Sequence, residues 1–227
     1  MPDRPDRQPN PDHRSHIRDM PAPRENPSMA GPVLRRTLAW PFRLLLAGVY
    51  RAGFRPWQLT LISLGLNVWA GVLLLRGDRL VPGFVLLFAG VFDLFDGAVA
   101  RLRGEESRLG AFLDSGLDRV SDAIVFGCLF WSLSGQGKEL AAALSLVSLS
   151  VSLGVSYVRA AAEARGVALG EGLFQRLERY AALILGLWIP GALLPVLVAL
   201  AGLGAVTLLQ RVWSGTRQLL AVRSQPA

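Results

Sequence analysis

Three residue types are nearly missing from this chain of 227 residues, and each shortage removes a class of chemistry. There is one cysteine, Cys128, in an apolar run, so no intrachain disulfide can form. The only histidines, His13 and His16, lie in a polar N-terminal stretch, which leaves no His/Cys set for zinc. Lysine occurs once, at Lys138, so the net charge of +7 is carried by arginine. No GxGxxG or P-loop pattern occurs, so a glycine-rich phosphate cradle is not expected. No solenoid-type repeat is visible, and no apolar h-region follows the early arginines, which argues against a cleaved secretory signal.

What the chain has in excess is apolar sequence: 52% of its residues are hydrophobic and its mean hydropathy is +0.38. Apolar stretches recur over residues 57–75, 80–100, 122–133, 140–158, 180–189 and 192–209. Crossing the hydrocarbon takes roughly 20 residues, and the shorter stretches can be extended by flanks that face protein. The expected fold is therefore all-α, an integral membrane bundle of about six transmembrane helices. Short turns such as Arg76-Gly77-Asp78-Arg79 and Ser134-Gly135-Gln136-Gly137 make neighbouring helices antiparallel.

Four segments follow from the composition. Residues 1–29 are rich in Pro, Arg, Asp and Asn and are expected to be disordered. Residues 30–55 contain VLRRTLAWPFRLLLAGV (33–49), which mixes Leu, Trp and Phe with Arg35, Arg36 and Arg43 and is interrupted by Pro41; this predicts an interfacial amphipathic helix. Pro56 stands at a helix start, where its missing N–H costs nothing. Residues 56–215 form the transmembrane domain, and residues 216–227 a cytoplasmic tail. Arginine is distributed by loop: Arg51, Arg55, Arg101, Arg103, Arg108, Arg159, Arg165, Arg176, Arg179, Arg211, Arg217 and Arg223 fall on one side, and Arg76, Arg79 and Lys138 on the other. By the positive-inside rule both termini are cytoplasmic. The basic charge then reflects topology and attraction to anionic membrane lipids, not a nucleic-acid partner.

The informative stretch runs from residue 92 to residue 126, FDLFDGAVARLRGEESRLGAFLDSGLDRVSDAIVF. An aspartate at the centre of a membrane helix costs about 2.5 to 3.5 kcal/mol, so several of them require compensation. On a helix, Asp93, Asp96, Gly97 and Ala100 share one face, and Asp114 and Asp118 share a face of the next helix. Arg101 and Arg119 are close enough in sequence to neutralise such acids. Four carboxylates without His or Cys are equally the donor set that hard cations such as Mg²⁺ or Mn²⁺ prefer, and two such ions would balance the charge. An ion pathway or transporter with intramembrane acids meets the same electrostatic demand.

The pattern Asp93-x2-Asp96-Gly97-x2-Ala100-Arg101-x8-Gly110-x3-Asp114-x3-Asp118 resembles the complete signature of the CDP-alcohol phosphatidyltransferases. The resemblance covers the chain from about Pro56 onward and implies six transmembrane helices, a site in the cytoplasmic leaflet, a CDP-lipid donor, and commonly a homodimer. It implies that Asp93, Asp96, Asp114 and Asp118 ligate the metals and that Asp118 is also the general base. Asp96, Gly97, Ala100, Arg101 and Gly110 would then form the nucleotide side. Asp122 lies one turn further along the ladder and outside that signature; it reads as a packing or supporting acid.

A second set resembles the branch that uses inositol phosphate as acceptor: Ser156-Tyr157-Val158-Arg159, Glu163, Gly166 and Gln175-Arg176-Leu177-Glu178-Arg179. The resemblance implies that Arg159, Arg176 and Arg179 hold the acceptor's phosphate. Arg159 stands where many members have Lys, and Ala161 where some have a second basic residue. Glycerol 3-phosphate would need much the same cations and is the alternative acceptor.

Overall fold

The computed structural model describes residues 31–223 except 168 and 170–175. The polar segment over residues 1–29 lies outside them. Among the described residues there is no strand, and seven helices follow in order: α1 (Gly31–Arg51), α2 (Pro56–Leu75), α3 (Leu80–Arg103), α4 (Arg108–Gly135), α5 (Glu139–Glu163), α6 (Arg176–Trp188) and α7 (Leu193–Arg223). The helix boundaries have local causes. Pro56 opens α2, where the Gln58 side chain accepts from the Arg55 N–H at 2.8 Å. α3 ends at Gly104, whose φ of 64° lets the chain turn back while its N–H and that of Glu105 satisfy carbonyls of the last turn. Ser107 caps α4 by accepting from the Gly110 N–H at 2.9 Å.

Four helices, α2, α3, α5 and α7, are long and apolar enough to cross a membrane by length and composition alone. The two others expected from the sequence form as well, and they differ for visible reasons. α4 carries acids through its first half, and α6 as described has 13 residues, about 20 Å of helix against about 30 Å of hydrocarbon. Phe88, Trp131, Leu140, Leu209 and Trp213 are each more than half exposed, a surface that suits lipid and not water. The chain is a multi-pass membrane bundle.

α1 runs through position 41, so Pro41 does not break it. Tertiary packing offsets the hydrogen bond that proline removes. Phe42 lies with its ring centroid 5.2 Å from that of Phe95, and Leu46 is buried with Leu59, Phe95, Ala98 and Val99. At the other end α7 continues past residue 215 to Arg223, so Arg211 lies within the helix.

The packing order of the spans is a closed ring: α2 touches α3 and α4, α3 touches α6, α6 touches α7, α7 touches α5, and α5 returns to α4. Its two ends differ in chemistry. The end holding the α2–α3 and α4–α5 turns is filled by one apolar cluster, with Leu74, Leu86, Leu129, Leu133, Leu187 and Leu197 among its members. The opposite end is where the inward-facing side chains become polar. Between the two ends, Ser145, Ser148 and Thr207 satisfy their hydroxyls on carbonyls of their own helices, so what is unusual lies among the charged groups.

Candidate active site

The acids of α3 and α4 meet inside the polar end of the ring. One carboxylate oxygen each from Asp93, Asp114 and Asp118 lies within 4.8 Å of the other two, and all three side chains are partly buried. Asp114 and Asp118 are one turn apart on α4, and the ring carries Asp93 of α3 across to them. Asp96 is buried beside them with both oxygens engaged: Oδ2 accepts from Thr60 Oγ1 on α2 at 2.8 Å, and Oδ1 from the Gly97 N–H at 2.5 Å. The structure thus brings together three of the four expected ligands and holds the fourth on an adjoining hydrogen-bonded ledge.

Arg176, in the first turn of α6, is the cation that reaches the acids. Its Nη1 lies 2.5 Å from Asp93 Oδ2 and 2.5 Å from Asp118 Oδ1, while the guanidinium stacks over Tyr180, 5.2 Å from the ring centroid. Neither sequence-adjacent candidate takes that place: Arg119 donates to the Ser115 carbonyl of its own helix, and Arg101 is exposed beside Gly97. Tyr180 continues the chain of polar contacts across the ring. Its hydroxyl donates to Asn67 Oδ1 at 3.1 Å, Asn67 Nδ2 to the Ser63 carbonyl at 2.9 Å, and Ser63 Oγ to the Ala89 carbonyl at 3.0 Å. The chain links α6 to α2 at Asn67 and α2 to α3 at Ser63, which fixes where the α6 arginines stand relative to the acids.

Arg179 is buried, with Nη2 3.7 Å from Asp122 Oδ2. Arg159 is half exposed and paired with Glu163 at 2.8 Å. It stands apart from the acids yet within electrostatic range of Arg211, which also feels Arg179. Arg211 was counted in the sequence as a flank of the last span; it is buried, and its Nη1 donates to the Val155 carbonyl at 3.2 Å. The available signal was its position only two residues past an apolar run, where a longer helix carries it inward. Thr60, Asn67 and Ser152 carry a similar signal, each a polar residue inside an apolar stretch.

Gly97 and Ala100 follow Asp96 on α3, and Gly110 stands one turn before Asp114 on α4. A methyl group at Gly97 would meet Arg101 Nη1 at 3.5 Å, and one at Gly110 would press on Ser107 Oγ at 3.0 Å, disturbing the α4 cap. Among the described residues five carboxylates, Asp93, Asp96, Asp114, Asp118 and Asp122, face two guanidinium groups. The surplus is negative, the donors are all oxygen, and the spacing suits a hard divalent cation. Mg²⁺ or Mn²⁺ therefore fits these residues.

Comparison with known proteins agrees with that geometry. A family model described as CDP-alcohol phosphatidyltransferase matches residues 54–213. The phosphatidylinositol phosphate synthase of Corynebacterium glutamicum is 38% identical over 175 residues, covering 73% of this chain and 80% of the relative. That of Mycobacteroides abscessus is 38% identical over 161 residues, covering 70% and 73%. The crystal structure of Mycobacterium tuberculosis phosphatidylinositol phosphate synthase with CDP-DAG bound is similar with a TM-score of 0.69 and 30% identity, covering 76% of this chain and 92% of that one. The same enzyme in complex with manganese and citrate gives a TM-score of 0.67 at 30% identity, covering 76% and 87%.

Proposed function

This chain belongs to the CDP-alcohol phosphatidyltransferase family, a divalent-metal-dependent transferase of phospholipid biosynthesis, and we propose that its reaction is the transfer of the phosphatidyl group of CDP-diacylglycerol to inositol 1-phosphate. The acceptor hydroxyl oxygen attacks the lipid-side phosphorus, the bond from that phosphorus to the bridging oxygen breaks, and CMP leaves with the electron pair. Asp118 takes the hydroxyl proton as general base. Asp93, Asp96, Asp114 and Asp118 would hold two Mg²⁺ or Mn²⁺ ions, which when bound would supply positive charge to the pyrophosphate and to the leaving phosphate. Asp96, Gly97, Ala100, Arg101 and Gly110 receive the nucleotide, with the glycines leaving room for it against the backbone.

The observation that carries the acceptor assignment is the gathering of basic side chains at the polar end of the ring. Arg176 and Arg179 stand beside the acids, and Arg211 lies within electrostatic range of both Arg179 and Arg159. Guanidinium groups suit a phosphate-bearing acceptor, which serine or free inositol is not. The relatives named as phosphatidylinositol phosphate synthases favour inositol 1-phosphate over glycerol 3-phosphate.

The polar end also carries the arginine-rich helix ends, whereas Arg76, Arg79 and Lys138 lie at the apolar end. By the positive-inside rule this distribution supports a cytoplasmic side for both termini and the active site. The chain works as a homodimer, as the family resemblance implies. The deciding assay uses purified protein with CDP-diacylglycerol, Mg²⁺ or Mn²⁺, and inositol 1-phosphate, glycerol 3-phosphate, inositol or serine. CMP release should be fastest with inositol 1-phosphate; a preference for glycerol 3-phosphate or for free inositol overturns the acceptor assignment.

A further inference from the structure

Asp122 has no part in the reaction above, yet it is among the most buried charged groups of the molecule, 4% exposed on α4 one turn beyond Asp118. Its two oxygens have different surroundings. Oδ2 accepts from Ser152 Oγ of α5 at 2.6 Å and lies 3.7 Å from Arg179 Nη2. Oδ1 has no hydrogen bond, and 3.9 Å away is Arg176 Nε, a buried donor that also has none. A buried guanidinium without a counter-charge is strongly unfavourable, and so is a buried carboxylate with an idle oxygen.

We propose that Asp122 is the positioning residue of the acceptor side, a single buried carboxylate that orients both Arg176 and Arg179 toward the phosphate of the acceptor. Ser152 locks the carboxylate on one oxygen, so its direction is set by α5 as well as α4. Once Arg176 leaves Asp93 and Asp118, the one carboxylate of Asp122 faces two guanidinium groups, and positive charge is left for an anion. The idle pair between Oδ1 and Arg176 Nε gives Arg176 a second place to anchor when it releases Asp93 and Asp118. The distance to close is short, since a hydrogen bond of this type is about 2.9 Å.

This inference rests on the reading that the acceptor carries a phosphate, and the test separates the two. Full-length Asp122→Asn, Ser152→Ala and Arg179→Ala proteins are assayed with inositol 1-phosphate varied at saturating CDP-diacylglycerol and Mn²⁺; the KM for CDP-diacylglycerol and the Mn²⁺ affinity by electron paramagnetic resonance are measured in parallel. Asp122→Asn should raise the acceptor KM about tenfold while the donor KM and Mn²⁺ affinity stay within about twofold. Ser152→Ala, which keeps the charge but unlocks it, should raise the acceptor KM about threefold, and it remains informative if Asp122→Asn does not fold. A wild-type acceptor KM in Ser152→Ala and in any folded Asp122→Asn, with Arg179→Ala impaired, overturns the role of Asp122 alone. An equal loss of acceptor, donor and metal binding marks Asp122 as merely structural and overturns it too. Should Arg179→Ala itself leave the acceptor KM untouched, the phosphate-acceptor reading fails and takes this inference with it.

Discussion

Arg176 Nη1 lies 2.5 Å from Asp118 Oδ1 and equally near Asp93 Oδ2, so a single guanidinium on α6 ties the acids of α3 to those of α4. It sits on oxygens of two of the acids proposed to hold the divalent ions. Two cations cannot share those oxygens at close range, so arginine and metal compete for them.

The competition has a measurable sign. Arg176→Gln should bind Mn²⁺ about tenfold more tightly, equivalent to about 1.4 kcal/mol. The metal-free variant should be less stable by on the order of 2 kcal/mol, short of the roughly 3 to 5 kcal/mol of a fully buried pair because these side chains keep partial solvent access. Titration of Mn²⁺ by electron paramagnetic resonance and melting with and without the ion check both halves. Weaker binding in the variant would show that Arg176 supports the metal instead of opposing it.

Asp118→Asn removes a proton acceptor but almost no volume. Transfer should fall by about 100-fold or more, the range attributed to a positioned general base, while the protein stays folded and loses no more than on the order of 2 kcal/mol of stability, the amount expected when the Arg176 pairs are broken. CMP release under single-turnover conditions is the measurement, and turnover at the parent rate would move the base to another residue.

Thr60→Val tests the ledge that holds Asp96. The substitution keeps the shape and deletes the donor 2.8 Å from Asp96 Oδ2. A hydrogen bond to a charged group contributes about 1.5 kcal/mol or more, so kcat/KM for CDP-diacylglycerol should drop roughly tenfold. An unchanged kcat/KM would mean that Asp96 orients itself through Gly97 alone.

Gly83→Ala probes the opposite end of the ring. Its new methyl group would overlap the Trp188 indole, which already donates to the Leu80 carbonyl at 3.2 Å and packs 4.6 Å from Phe84. Overpacking there should cost about 2 kcal/mol of stability, with kcat/KM kept at temperatures where the protein is folded. Loss of activity without loss of stability would show that this end communicates with the acids.

The sequence carried the parts of this site that depend on spacing along one helix. Asp93 with Asp96, and Asp114 with Asp118, could be placed on shared faces because helical periodicity needs nothing but residue numbers. The helix starts and stops were legible for the same local reason, through Pro56 and the Gly-containing turns. What spacing does not contain is the rotation of one helix against another. Arg119 looked near the acids because it follows Asp118, yet that adjacency turns it toward Ser115, and Arg176 arrives from far along the chain by way of the ring. The apolar run ends at 209 although the helix continues past Arg211, and Pro41 does not break α1 because Phe42 and Leu46 pack against α3, which residue numbers alone do not contain.

The packed leucines at the α2–α3 and α4–α5 turns have one more implication. They fill that end of the ring with hydrocarbon, so the ionised side chains of α3, α4 and α6 are gathered toward the other end and the bundle is chemically lopsided along its length.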